Sequence, residues 1–263
     1  MRTIIAALPL VLLAACHGDR PATASRPPVA AELMPVSTVI ARDLGFAGGS
    51  DVTGKVTWKG EKMKAKKIKM MADPYCETVY PQGVLSEEFV IGAAGEVQWA
   101  FVHVTNMETK SEAPKEAVTL LQEGCLFKPH VFGVIVGQTV TIKNADDTNH
   151  NIHVVPAANN EINFAQAKKG QASDKSFTAA EMAIKIKCDV HPWMSGWVHV
   201  MTHPYFSVTA ADGTFKISGL PAGKWKIVAW HESLEGSKEV EVEVDGKGPK
   251  ADVAFELNAK KAR

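Results

Sequence analysis

The chain has 263 residues, with 29 Lys plus Arg balanced by 29 Asp plus Glu. That neutrality argues against a nucleic-acid binder, and 46% hydrophobic with 22% charged residues argues against a disordered chain. No apolar run reaches the roughly 18 residues that a membrane-spanning helix needs. The length allows one large all-β domain or two small ones.

Residues 1–15 combine Arg2 with a short apolar stretch from Ile4 to Ala15, the pattern of a secretory signal. Leu13-Ala14-Ala15-Cys16 resembles a bacterial lipobox. That resemblance implies cleavage before Cys16, lipidation of its sulfur and a periplasm-facing anchor in the cell envelope. His17 rather than Asp follows the cysteine, which by analogy leans toward the outer membrane. Residues 16–49 hold Pro21, Pro27, Pro28 and Pro35 among Ala, Ser and Thr, with no sustained apolar period. They are read as a flexible tether.

From residue 50 onward short β runs are predicted. Val52 to Trp58 alternates, Lys66 to Met71 is a brief run, and Val97 to Thr105 is rich in Val, Trp and Phe. Ser111 to Gln122 is the best candidate for a short helix. Val131 to Lys143 splits into two runs around Gly137-Gln138. Ile152 to Pro156, Ala183 to Cys188 and Trp197 to Met201 complete the central part. Many short strands separated by Gly, Pro, Asn and Asp indicate an all-β sandwich or barrel.

The segment from Thr209 to Gly223, T-x-x-D-G-x-F-x-I-x-G-L-P-A-G in outline, resembles the regulatory-like, or transthyretin-like, β modules found beside carboxypeptidases. The resemblance implies a second small β-sandwich over residues 204–257, followed by a tail at 258–263. Residues 50–203 are assigned to the first domain, although the run around Gly54 suits a strand of either half.

Cys188-Asp189-Val190-His191-Pro192-Trp193-Met194 places Cys, His and Met at intervals of three. With His150 from a separate strand, this is the donor set of a type 1 copper site: two imidazoles, one thiolate and a weak axial thioether. Thiolate and thioether are soft and hold Cu(I), while imidazole suits both oxidation states. Zinc fits less well because Met is a poor zinc ligand. Strand phase agrees. Ile184, Ile186 and Cys188 share one face, opposite Lys185 and Lys187. His150, Ile152 and Val154 also share a face.

The loop and the upstream Val136-Gly137-Gln138-Thr139-Val140-Thr141 with His150-Asn151-Ile152-His153 resemble the cupredoxins, the amicyanins in particular. The resemblance implies a Greek-key sandwich with one copper held by His150, Cys188, His191 and Met194. It implies that Asn151 ties the ligand loop, with its backbone N–H on the Cys sulfur. It also implies that His191 offers a ring edge to solvent, inside an apolar docking patch formed by Pro192 and Trp193. Trp193 packed inward is the alternative. The cupredoxins lack the extension that carries Cys76 and the C-terminal module.

Cys76 and Cys125 are left over, and in an oxidising envelope they most simply form a disulfide. A second metal or redox site that includes His130 is the alternative. His103, His153, His199, His203 and His231 are read as solvated or packed. The Lys62 to Lys69 run is read as a solvated strand and turn face, with a docking patch as the alternative. No His-x-His pair, G-x-S-x-G or H-E-x-x-H occurs, so no enzyme is expected. The expected function is an envelope electron carrier that serves redox protein partners. Copper storage or delivery is one rival, and a structural or carbohydrate-binding lipoprotein is another.

Overall fold

The computed structural model describes residues 49–60 and 65–259. The signal segment, Cys16, nearly all of the tether and the last four residues lie outside the described residues. In chain order the strands are β1 (Ser50–Trp58), β2 (Lys67–Ile68), β3 (Val84–Leu85), β4 (Phe101–Val104), β5 (Val118–Gln122), β6 (Phe127–Lys128) and β7 (Val131–Ile135). Then come β8 (Val140–Asn144), β9 (His150–Val155), β10 (Ile162–Gln166), β11 (Ala172–Lys175), β12 (Glu181–Lys187) and β13 (Ser195–Met201). The last six are β14 (Phe206–Val208), β15 (Thr214–Leu220), β16 (Gly223–Trp230), β17 (Leu234–Glu235), β18 (Val240–Val244) and β19 (Gly248–Ala259). Among the described residues, one short helix, α1 (Pro74–Val79), and a single 3₁₀ turn at Glu87–Phe89 interrupt the β structure. The described part is nearly all β, as expected.

Two sandwiches are built. In the first, the sheet β10-β9-β12-β13-β7 faces the sheet β11-β8-β5-β6. Ile152, Val154, Ile184, Ile186, Val198 and Val200 meet Leu120, Val140 and Ile142 in its core. Full burial of each such side chain is worth about 1.5–3 kcal/mol. In the second, β15-β1-β19-β17 faces β14-β4-β16-β18. Its core joins Val52, Val56, Ile217, Leu220, Phe255 and Leu257 to Val102, Val104, Ile227 and Val244. The first sandwich carries the predicted ligand strands β9 and β12, and the second is a separate β module.

The second module does not begin near residue 204. β1 lies between β15 and β19, and β4 lies between β14 and β16. Strands assigned from sequence to residues 50–203 therefore complete the C-terminal sheets. Alternation alone marks Val52 and Val56 as inward-facing, but it does not say which core they enter. The Asp212-Gly213 turn fits beneath β1 because Gly213 adopts φ +76°, and any Cβ there would lie 2.6 Å from the Val56 carbonyl.

The helix expected over Ser111 to Gln122 is absent. Residues 111–117 are irregular, and Val118 to Gln122 is a strand paired in parallel with β8. Its buried–exposed alternation, Val118 and Leu120 in and Thr119 out, supplies one wall of the first core. Pro114 interrupts the helical pattern of residues 112–117, and pairing with β8 takes Val118 to Gln122 into the sheet.

Candidate metal centre

His150 opens β9, and Cys188 follows the last residue of β12, its neighbour in the sheet. The two are brought side by side at one end of the first core. Residues 188–194 form a closed loop: Met194 N–H donates to the His191 carbonyl at 2.9 Å, and Cys188 N–H donates to the Met194 carbonyl at 3.2 Å. The chain then enters β13 through Gly196, where a Cβ would lie 2.9 Å from the His130 carbonyl. His150, Cys188, His191 and Met194 are each 2% exposed or less.

Three of the four donor atoms converge through close contacts. His150 Nδ1 lies 3.0 Å from His191 Nδ1, and Cys188 Sγ lies 3.8 Å from His191 Nδ1. The donor atoms of His150, Cys188 and His191 all fall within 4.8 Å of one another. Met194 is fully buried in the same core cluster as Cys188.

Both imidazoles are held from behind by carboxylates. His150 Nε2 lies 2.9 Å from Asp146 Oδ2, and His191 Nε2 lies 3.2 Å from Asp73 Oδ2. A carboxylate accepts, so each Nε2–H donates and each Nδ1 is turned inward, where it can hold a proton toward the sulfur or give its lone pair to a metal. Two lone pairs 3.0 Å apart beside a sulfur repel unless a proton or a cation lies between them. Asp146 is itself fixed, because Gly124 N–H and Cys125 N–H each donate to it at 2.8 Å. Asp73 caps α1 by accepting from Cys76 N–H at 3.0 Å and also accepts from the Thr148 hydroxyl at 2.9 Å. Asp73 is not recognisable in the sequence, since it acts across the fold on His191, whereas Asp146 lies only four residues before His150 and that proximity is its one signal.

Asn151 N–H donates to Cys188 Sγ at 3.3 Å, and His191 N–H donates at 3.4 Å. The Asn151 side-chain oxygen accepts from Asp189 N–H at 3.2 Å. Burial pushes the Cys188 thiol pKa up, but hydrogen bonds from both imidazoles and both backbone N–H groups outweigh it and bring the pKa to about 6. A thiolate is therefore the dominant form at neutral pH. Burial lowers the His150 pKa, but Asp146 and Cys188 more than offset this and raise it. For Asp146 and Asp73, burial works upward and is overcome by the hydrogen bonds they accept, so both are held below the ordinary carboxylate value.

The donor set fits copper. Donors about 2.0–2.3 Å from a shared ion lie about 3–4 Å apart, as the Nδ1 and Sγ atoms do. Cys76 and Cys125 are joined to each other with Cα atoms 5.8 Å apart. Two further three-residue groups that include them therefore lack a thiolate. The alternative of a site with His130 is set aside, since His130 donates to the Ser195 carbonyl at 3.1 Å and pairs with Glu232.

His191 departs from expectation. Its ring is 1% exposed, its Nε2 is bonded to Asp73, and the disulfide sulfur of Cys76 lies 3.9 Å away. The extension carrying α1, pinned by the disulfide, covers the edge expected to face solvent. Pro192 is exposed, whereas Trp193 turns partly inward and donates its indole N–H to the Cys125 carbonyl at 3.2 Å. His153 is not merely solvated, since it lies 2.7 Å from both Asp189 and Glu161 carboxylates.

No family model and no curated protein sequence matches the chain. Among solved structures, a copper-containing nitrite reductase from Thermus scotoductus SA-01 is 25% identical over 37% of this chain, with TM-score 0.29. The aligned part spans only 25% of that enzyme. A purple cupredoxin from Nitrosopumilus maritimus is 24% identical over 32% of this chain and 99% of its own, with TM-score 0.28. A Cu(I) structure of an amicyanin mutant is 27% identical over 38% of this chain and 98% of its own, with TM-score 0.30. Scores this low transfer neither fold nor activity, so the functional reading is built on the side chains above.

Proposed function

We propose that the chain is an envelope-anchored electron carrier. It holds one copper ion through His150, Cys188, His191 and Met194 and exchanges single electrons with redox proteins. The observation that carries this reading is the convergence of one thiolate and two inward-facing Nδ1 atoms within 4.8 Å. Copper would supply a one-electron couple between Cu(I) and Cu(II). The rest falls to the chain. Cys188 is poised as thiolate without needing to lose a proton at neutral pH. Asp146 and Asp73 hold the two rings in one orientation, which keeps rearrangement small when charge changes. The core around Ile152, Ile186 and Met194 keeps water out.

Burial of all four donors favours a carrier over a delivery protein, which needs exchangeable ligands. We place Cys16 as the lipidated N-terminus and the folded part on the periplasmic side. The partners are redox proteins of the envelope.

Loading the protein with Cu(II) and recording visible absorption and EPR spectra tests this reading. We expect an intense thiolate-to-copper band that Cys188→Ala abolishes. Equal copper uptake by both proteins with no such band would reject it. Colourless, readily exchanged Cu(I) would favour delivery.

A further inference from the structure

With the His191 edge covered by Asp73 and the disulfide, the ligand loop meets solvent on another flank. Cys188, Pro192, Trp193 and Met194 line a cleft of about 690 Å³. Its other walls come from β2 and the end of β12. Five lysines stand there: Lys66, Lys67, Lys69, Lys185 and Lys187. The first three are exposed and make no ion pair among the described residues. Lys185 lies 5.7 Å over the Trp197 ring, and Lys187 pairs with Asp189 at 3.0 Å. All three acids in the cleft are engaged, Glu88 by accepting from the Ser233 hydroxyl at 3.4 Å. Asp189 meets Lys187 and His153, while Glu232 meets His130 and accepts from the Trp197 indole at 2.8 Å. The surplus charge is positive and lies immediately beside two of the proposed ligands.

We propose that this lysine-rimmed cleft is the docking surface for a redox protein with an acidic face. The proposal rests on the copper reading and names the partner class of that site. Exposed ammonium groups on a rim suit a transient protein contact, where charge sets encounter rate and orientation. They do not make a pocket for a free anion, because none of these lysines is buried. The extension that closes the His191 edge is thus the element that supplies the new surface through β2.

NMR titration of the full chain tests this, in both the copper-free and the Cu(I)-loaded form. The probe is a c-type cytochrome of acidic pI, with one of basic pI as control. We expect amide shifts concentrated at residues 66–69, 185–189 and 192–195 with the acidic cytochrome only. Combined Lys66→Glu, Lys67→Glu and Lys69→Glu should weaken binding by roughly tenfold or more, and added salt should do the same. Copper loading of the triple variant should match the wild type, since no changed residue is a proposed ligand. Unchanged affinity in the triple variant, equal binding of the basic cytochrome, or shifts confined to another face would overturn the proposal. A copper-free footprint without a thiolate–copper band in the loaded protein would sustain the docking surface and reject the copper reading. A band without a footprint would do the reverse.

Discussion

Asp146 is the residue whose removal discriminates best between a metal centre and a packed core. It is 2% exposed, and its Oδ2 accepts from Cys125 N–H at 2.8 Å and His150 Nε2 at 2.9 Å. Its Oδ1 accepts from Gly124 N–H at 2.8 Å and lies 3.2 Å from the Tyr75 hydroxyl. In Asp146→Asn, the cheaper amide orientation puts nitrogen at the Oδ1 position. The Tyr75 hydroxyl can reverse to accept, and only Gly124 N–H is stranded. One buried unsatisfied donor costs about 1–3 kcal/mol. His150 keeps a neutral acceptor. Asp146→Ala strands Gly124 N–H, Cys125 N–H and His150 Nε2–H together, for roughly 3–6 kcal/mol after relaxation. It also frees the His150 ring to rotate, and loss of such a partner lowers metal affinity about 10- to 100-fold. Competitive copper titration and urea unfolding of the copper-free protein read the two effects separately. We expect wild type, Asn and Ala to fall in that order on both scales. An Ala variant that loses stability yet binds copper within threefold of wild type would show that Asp146 does not position a ligand.

Replacing both Cys76 and Cys125 with Ser opens a 49-residue loop closure, at a cost of about 4 kcal/mol. Because the Cys76 sulfur touches His191, copper exchange should also accelerate, as measured by transfer to a chelator; unchanged exchange would contradict the covering role. Burial holds the His203 pKa down to about 4, reinforced by charge repulsion from His103. Its contribution is thus fully present above about pH 6.5 and is lost as pH falls toward about 4, on the order of 2–3 kcal/mol. His203→Asn, which keeps an acceptor for Tyr205 N–H, should flatten part of the stability loss between pH 7 and 4.5 in denaturant titrations. Identical slopes would remove His203 as the cause. Met194→Leu should retain copper and shift the reduction potential measured by voltammetry, since the axial bond is weak; complete loss of copper would give Met194 a different role.

Much of the centre could be read from the sequence because it is local. Cys188, His191 and Met194 lie within seven residues, and the alternation Ile184, Ile186, Cys188 fixes the face of the thiolate. His150 needed only one long-range pairing, supplied by the β9–β12 register. What surrounds the ligands could not be read in this way. Asp73 lies 118 residues from the histidine it orients, in a stretch with no strand period. The covering of His191 follows from the disulfide and α1 together, and nothing in the loop itself announces it. The strands β1 and β4 illustrate the same limit. Their inward faces are visible as alternation, but membership of the C-terminal module is a matter of pairing between chain ends. In the sequence the Lys62 to Lys69 run suits either a solvated face or a docking patch, and only the fold brings Lys66, Lys67 and Lys69 beside the ligand loop.

The central claim is that the Cys188 sulfur and the Nδ1 atoms of His150 and His191 bind one copper ion together. X-ray absorption at the copper edge of the loaded protein tests it most directly. We expect one short sulfur and two imidazole nitrogens around a single copper per chain, with the sulfur lost in Cys188→Ala. A shell of oxygen and nitrogen alone in the wild type, unchanged in that variant, would contradict it.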